Sequence, residues 1–221
     1  EGSPDDIAAV AQALRTEAPT LAQIDDLRND ACAPGRLDTY KHLESRREAG
    51  RRQPISPDVA LCAACEAELF DRDNRRYRYP FITCTDCGPR FTVIDAMPYD
   101  RERTSMRAFT QCDTCQREYT TPGDRRYHSE TNSCPSCGPR VWLEGTSPPD
   151  PLSTLWRGGT PVEDAAKLLL DGKIVAMRGL GGFHLAADAT NEGAVARLRS
   201  LKNREAKPFA IMVRTLADAR E

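Results

Sequence analysis

Eight cysteines, in four C-x2-C pairs, are the residues of this chain best suited to do chemistry: Cys62 and Cys65, Cys84 and Cys87, Cys112 and Cys115, Cys134 and Cys137. A C-x-x-C turn directs two thiolates at one point, and two such turns supply the tetrahedron that zinc prefers. The first four cysteines shifted by fifty positions land on the last four. Other residues repeat with them: Glu68 with Glu118, Arg75-Arg76-Tyr77 with Arg125-Arg126-Tyr127, and Gly88-Pro89-Arg90 with Gly138-Pro139-Arg140. Each copy reads C-x2-C-x18-C-x2-C. The spacer suits a loop or small hairpin that brings the second knuckle back to the first. Gly88 and Gly138 fall where the chain needs a left-handed or tight turn. Four protein ligands leave no position for a water, so the pattern predicts two structural zinc ions and no catalytic one. Four thiolates on one zinc leave a negative charge, and Arg75, Arg76, Arg125 and Arg126 are placed to neutralise it from outside the sulfur shell.

Disulfides are the competing reading of the eight cysteines. No export-signal pattern opens the chain, which favours thiolates in a reducing compartment and a cytoplasmic location. Cys32 lies outside the repeat and reads as a plain thiol. His128 follows the second Arg-Arg-Tyr and reads as a structural histidine, because the cysteines already fill the metal's sphere. Between Cys62 and Trp142 the chain has 12 Arg, no Lys and 12 acidic residues. That balance removes the main driving force for nucleic-acid binding.

The elements around the cysteines follow from patterning. The whole chain has 221 residues and a formal net charge of -2, with no apolar run long enough to span a bilayer. It begins at Glu1 without a methionine, which reads as a cut or processed start. Ser3, Pro4 and Asp5-Asp6 predict a capped helix with Ile7, Val10 and Leu14 on one face. Residues 29–56 are polar and aperiodic, with Arg36, Arg46, Arg51 and Arg52, and read as a linker. After a turn-rich "EGTSPPDP", Thr160-Pro161-Val162-Glu163 is a capping box for a helix to about Leu170, stopped by Gly172. "KIVAMR" predicts a strand, "GLGGFHL" a glycine-rich turn, Asn191 the cap of a second helix, and "FAIMV" another strand. Thr215 to Asp218 predicts the cap of a third helix. The alternation suggests a βαβ-like α/β domain cut short.

Two stretches there carry possible chemistry. Gly179-Leu180-Gly181-Gly182-Phe183-His184 offers close backbone approach and N–H groups for an anion. It is neither a Walker A loop nor G-x-G-x-x-G, and a plain tight turn remains open. Lys202, Arg204 and Lys207 crowd before a strand. They read either as a solvated helix end or as a cationic clamp for phosphates.

The phrases "CAACEAELFD", "RRYRYPFITCTDCGPRFTVI", "PYDRERTSM", "CPSCGPR", "RGLGGFHLAADA" and "LRSLKNREAKPFAIMV" resemble, in this order, the HypF-type carbamoyltransferase family, maturation factors of nickel-iron hydrogenases. The match runs from about Ile55 onward. It implies an α+β multidomain chain: tandem four-cysteine zinc fingers followed by a truncated YrdC-like α/β domain. The implied division is an acylphosphatase tail at 1–28, a linker at 29–56, finger 1 at 57–95, finger 2 at 96–145, a linker at 146–158 and the start of the YrdC-like domain at 159–221. The resemblance further implies a parent enzyme that turns carbamoyl phosphate and ATP, with Mg, into carbamoyl-adenylate. That enzyme then carbamoylates the C-terminal cysteine of a HypE-type partner, for cyanide ligand synthesis. Lys202-Asn203-Arg204 match the family's K-x-R, and Lys207-Pro208 its K-P. Gly181, Gly182 and His184 match the phrase lining the nucleotide and carbamate pocket. His184 stays open between general base and structural group, and Arg178 stands where the family often has lysine. The YrdC likeness also implies double-stranded RNA binding, against which the charge balance counts. The rival reading is a non-catalytic zinc-finger module that binds protein or RNA; a free-standing threonylcarbamoyl-AMP synthase is disfavoured by the fingers.

Overall fold

The structure is a computed structural model. It describes residues 3–18, 22, 24–29, 54–144 and 160–220. Cys32, most of the 29–56 linker and the "EGTSPPDP" stretch lie largely outside the described residues. The chain divides into two compact units, Glu1–Pro139 and Arg140–Glu221. No helix is long and apolar enough to cross a membrane among the described residues.

In the first unit, helix α1 (Pro4–Thr16) begins as its sequence dictates. The Asp6 amide donates to Ser3 Oγ and the Ser3 amide donates to Asp6 Oδ2, a reciprocal capping box. None of its residues is buried. The two repeats form the rest of the described unit. Each opens with a two-turn helix, α2 (Ala63–Phe70) and α3 (Asp113–Thr120), whose N-caps are Cys62 and Cys112. The spacer is therefore not a hairpin: its first five residues finish the helix, and the rest is mostly turns. Arg78 (φ 54) and His128 (φ 50) sit in the left-handed region at equivalent points of the two copies. There the Arg78 amide donates to Leu69 O and the His128 amide to Tyr119 O.

The second knuckle of repeat 1 is held from outside by an antiparallel bridge between Val59 and Gly88. Asp58 Oδ1 accepts from the Arg90 and Thr92 amides beside it. The connection between repeats contains three 3-10 turns, Phe91–Val93, Arg101–Arg103 and Ser105–Ala108. Arg101 pins it to repeat 2 by donating to the carbonyls of Glu130, Asn132 and Phe109 at 2.7–2.9 Å.

Gly88 and Gly138 are required for different reasons. Gly88 has φ +97, a conformation that L side chains rarely adopt. Gly138 does not have a positive φ; a Cβ there would stand 2.1 Å from Tyr79 Oη and 2.6 Å from Ser133 Cβ. Its loss of space would break the bonds from Tyr79 Oη to Ser133 Oγ and Pro139 O. Gly138→Ala is expected to destabilise the zinc-loaded unit by about 1–3 kcal/mol. Equilibrium unfolding in guanidinium checks this, and an unchanged midpoint refutes it.

The second unit holds helix α4 (Thr160–Leu170), strands β1 (Val175–Gly179) and β2 (Gly182–Ala186), and helix α5 (Glu192–Lys202). Gly172 (φ +73) ends α4, with the Lys173 amide donating to Leu168 O and the Gly172 amide to Leu169 O. The side chain of Thr160 lies outside the described residues, so the predicted capping box is not described. Asn191 caps α5 by accepting from the Ala194 amide at 2.9 Å.

Two expectations fail here among the described residues, the strand at "FAIMV" and the βαβ-like order. The glycine-rich turn joins two antiparallel strands into a hairpin, with Gly179 paired to Gly182 and Leu180-Gly181 at its tip. "FAIMV" forms no strand among the described residues, and Ile211 and Met212 are exposed. A strand exists only by pairing, and β1 and β2 pair with each other alone. The predicted cap is present: the Thr215 amide donates to Asp218 Oδ2 and the Asp218 amide to Thr215 Oγ1. The parallel βαβ order is thus replaced by a hairpin between two helices.

Candidate metal centres and nucleotide segment

The eight repeat cysteines converge into two clusters, Cys62/Cys65/Cys84/Cys87 and Cys112/Cys115/Cys134/Cys137, with the sulfurs of each within 4.8 Å of one another. The sequence decides this locally. The first knuckle of each repeat is a helix N-terminus, where free amides and the dipole favour thiolate. The Cys65 amide points at Cys62 Sγ (3.5 Å). The second knuckle of repeat 1 is a tight turn with the Asp86 amide directed at Cys84 Sγ (3.4 Å).

The fit to zinc can be tested from sulfur spacing alone. Four sulfurs about 2.3 Å from a zinc ion stand about 3.8 Å apart along each tetrahedron edge. The edges Cys62–Cys84, Cys84–Cys87, Cys112–Cys134, Cys134–Cys137 and Cys115–Cys137 are 3.6–3.8 Å. A disulfide would bring two sulfurs to about 2.05 Å. The described cysteines are all free. Charge gives the same answer. The Cys84 thiol is pulled down to about 5, chiefly by its contact with Cys65, and Cys65 is pushed up by that same contact and by burial. Crowded thiols cannot all ionise without a cation among them, so both clusters fit a structural zinc ion. His128 belongs to neither cluster; its ring packs on Tyr119 and Tyr127 at centroid distances of 4.8 and 4.5 Å.

The arginines neutralise the clusters, but not their own. Arg75 Nη2, from repeat 1, donates to Cys115 Sγ of repeat 2 at 3.1 Å and to Glu118 at 2.7 Å. Arg76 donates to both Glu118 oxygens, at 3.0 and 2.6 Å, and through Nε to Ser133 O. The converse holds for the arginines of repeat 2. Arg125 Nη1 reaches Cys65 Sγ at 3.1 Å and its Nη2 reaches Glu68 at 2.6 Å. Arg126 pairs with Glu68 and donates through Nε to Thr83 O. Each arginine pair therefore crosses to the opposite repeat, a choice that the sequence leaves open. Glu118 is pushed up by burial, yet the hydrogen bonds of Arg76 and Arg75 outweigh this and hold it down at about 2.

Sequence reasoning passed over the two glutamates as functional residues, although they repeat. Their signal was position: Glu68 and Glu118 stand three residues after a ligand on a helix, hence on its face. One asymmetry breaks the correspondence. Asn132, at the place of Ile82, accepts from Arg76 and donates to Cys115 O.

In the second unit, Gly181 at the hairpin tip and Gly182 at the start of β2 are open, and an added Cβ at either meets nothing within 4 Å. His184 stands on β2 opposite Met177, and its ring occupies the space that a Cβ on Gly179 would fill. Lys202 ends α5, Asn203 is left-handed (φ 48), and Arg204 and Lys207 follow. Arg199, which the sequence reading did not single out, fixes this loop. Its Nη1 donates to the carbonyls of Arg204, Glu205 and Lys207 at 3.1–3.3 Å. The guanidinium groups of Arg199 and Arg204 also lie over Phe209. Among the described residues, no hydrogen bond or ion pair joins the hairpin to Lys202, Arg204 or Lys207. The structure thus shapes the two segments without bonding them together.

Comparison with known proteins then places these features. Residues 61–94 and 112–144 match the model of the HypF finger, and residues 167–221 match the Sua5/YciO/YrdC model, described as telomere recombination. Carbamoyltransferase HypF2 of Cupriavidus necator is 53% identical over 99% of the chain. The chain belongs to the HypF family. Carbamoyltransferase HypF of Rhodobacter capsulatus is 44% identical over 95% of the chain. In both cases the chain spans only 27% of the relative's length. The solved structure of full-length HypF in its phosphate- and nucleotide-bound form superposes on 99% of the chain with a TM-score of 0.83 at 40% identity, which is 28% of that HypF chain.

Proposed function

We propose that this chain is the finger and early YrdC-like portion of a carbamoyltransferase that acts in nickel-iron hydrogenase maturation. The observation that carries the reading is colinearity: two HypF fingers precede the YrdC-type match, over almost the whole length of a chain that aligns with named carbamoyltransferases. In this reading, water hydrolyses carbamoyl phosphate to carbamate and phosphate, and carbamate then displaces pyrophosphate from ATP, with Mg, to give carbamoyl-adenylate. The carbamoyl group then passes to the C-terminal cysteine of a HypE-type partner in the cytoplasm. The domain limits drawn from the sequence, with fingers at 57–95 and 96–145 and the YrdC-like start at 159, belong to the same proposal.

The chain's residues take the following roles. Lys202, Arg204 and Lys207 offset phosphate charge as carbamate attacks the α-phosphorus. Arg199 holds their loop in one conformation, so less ordering is needed on nucleotide binding. Gly181 and Gly182 leave backbone amides open to a ligand, and His184 lines that side. The two zinc ions hold the fingers rigid and take no part in the chemistry.

The test is pyrophosphate exchange into ATP, dependent on carbamoyl phosphate, in the protein that carries this chain. Lys202→Ala and Arg204→Ala are expected to lower exchange about 100-fold, with zinc content unchanged. Undiminished exchange in both variants would sink the clamp. No exchange in any zinc-loaded form would return the chain to the reading of a protein- or RNA-docking module.

A further inference from the structure

The crossed arginines have a consequence for the metals themselves. A four-thiolate zinc centre carries excess negative charge, and charge-assisted donors to its sulfurs stabilise it. Here the donor to Cys115 Sγ comes from Arg75 and the donor to Cys65 Sγ from Arg125. The supporting acids are shared in the same way: Glu118 receives Arg75 and Arg76, and Glu68 receives Arg125 and Arg126. The arginines are in turn placed by their own repeat. The Arg76 amide is turned by Asn74 Oδ1, and the Arg126 amide by Asp124 Oδ1, in the turns that follow α2 and α3. Those turns lie between the two knuckles of each repeat, Cys65 and Cys84 in the first and Cys115 and Cys134 in the second, so closing a repeat on its own ion fixes both ends of the segment that holds them.

We propose that the two metal centres are thermodynamically coupled through this exchange: each repeat, once closed on its ion, supplies the guanidinium pair that completes the other. The inference depends on the zinc fit and not on the carbamoyl-transfer reading. Gain or loss of metal at Cys62/Cys65/Cys84/Cys87 then changes affinity at Cys112/Cys115/Cys134/Cys137, and the reverse holds by reciprocity.

Site-resolved zinc loss tests this in the whole chain. Zinc is drawn off by a chromogenic chelator while an alkylating agent traps each freed thiol, and mass spectrometry reports which cysteines react. Arg75→Ala is the variant of choice, since Arg75 is partly exposed and Arg76 remains to cover Glu118. It is expected to speed alkylation of Cys112, Cys115, Cys134 and Cys137 about ten-fold, the scale of one charge-assisted hydrogen bond. Arg125→Ala is expected to act on Cys62, Cys65, Cys84 and Cys87. The second measurement uses Cys62→Ser/Cys65→Ser, which empties the first site and leaves the second site's ligands untouched. There the second site is expected to lose zinc at least ten-fold faster than in the parent chain. Wild-type protection of the opposite repeat in the arginine variants, or first loss from the mutated repeat itself, overturns the proposal. Faster loss in the cysteine variant alone would route the coupling elsewhere and overturn the arginine assignment.

Discussion

Removing zinc with a strong chelator is expected to unfold the repeat region, not merely loosen it. Besides the cysteines, the buried apolar side chains there are Tyr79, Ile82 and Met106. Such side chains contribute roughly 1.5–3 kcal/mol each on burial. A structural zinc supplies on the order of 10–16 kcal/mol in small finger peptides, and that energy is folding energy. Metal therefore dominates, and its loss leaves too little core to hold the turns. Trypsin gives a direct readout, because Arg76 and Arg126 are buried in the folded unit. Cleavage after both should appear on chelation and vanish when zinc is restored. A chelated chain that still resists cleavage at these two sites would show that the fold stands without metal.

Glu118→Ala is expected to cost about 3–5 kcal/mol even with zinc bound, because it removes one partner of a buried ion pair. Arg76 is only 2% exposed and makes both of its paired contacts to Glu118. With the carboxylate gone, Arg76 is left buried beside Cys115 with Ser133 O and Asn132 as its remaining acceptors. Glu66→Ala, at an exposed site in the equivalent helix of the other repeat, should stay within about 0.5 kcal/mol. Guanidinium unfolding of zinc-loaded variants separates the two cases. Equal, small losses would mean that the glutamate–arginine cluster adds little to stability.

The cysteine clusters were legible because ligand spacing is short-range chemistry: C-x2-C twice, eighteen residues apart, has few other uses. Helix starts were legible for the same reason, as with Ser3 and Asn191, whose side chains act within three residues. Partnership across fifty residues was not. The repeat marks Arg75 and Arg125 as equivalent, but equivalence is silent on whether each serves its own copy or the other. The hairpin went unread because Gly181-Gly182 fits several turns, and only the pairing of Val175 with Ala186 selects one. "FAIMV" misled because an apolar run signals burial or pairing in general, and pairing requires a neighbour in space. The chemistry proposed for Lys202 and Arg204 rests on the family resemblance, because spacing alone could not supply it. Arg199 escaped notice because its work is done on backbone carbonyls, which carry no sequence signal.

The exchange of arginines between repeats also has a symmetry. A contact in which Arg75 meets Glu118 while Arg125 meets Glu68 is isologous, the relation that a two-fold axis imposes on a dimer. Such an arrangement closes on itself. Both arginine pairs and both acids are engaged within the pair. Head-to-tail repeats meet through unlike surfaces; these two meet through like ones, as a dimer written on a single chain.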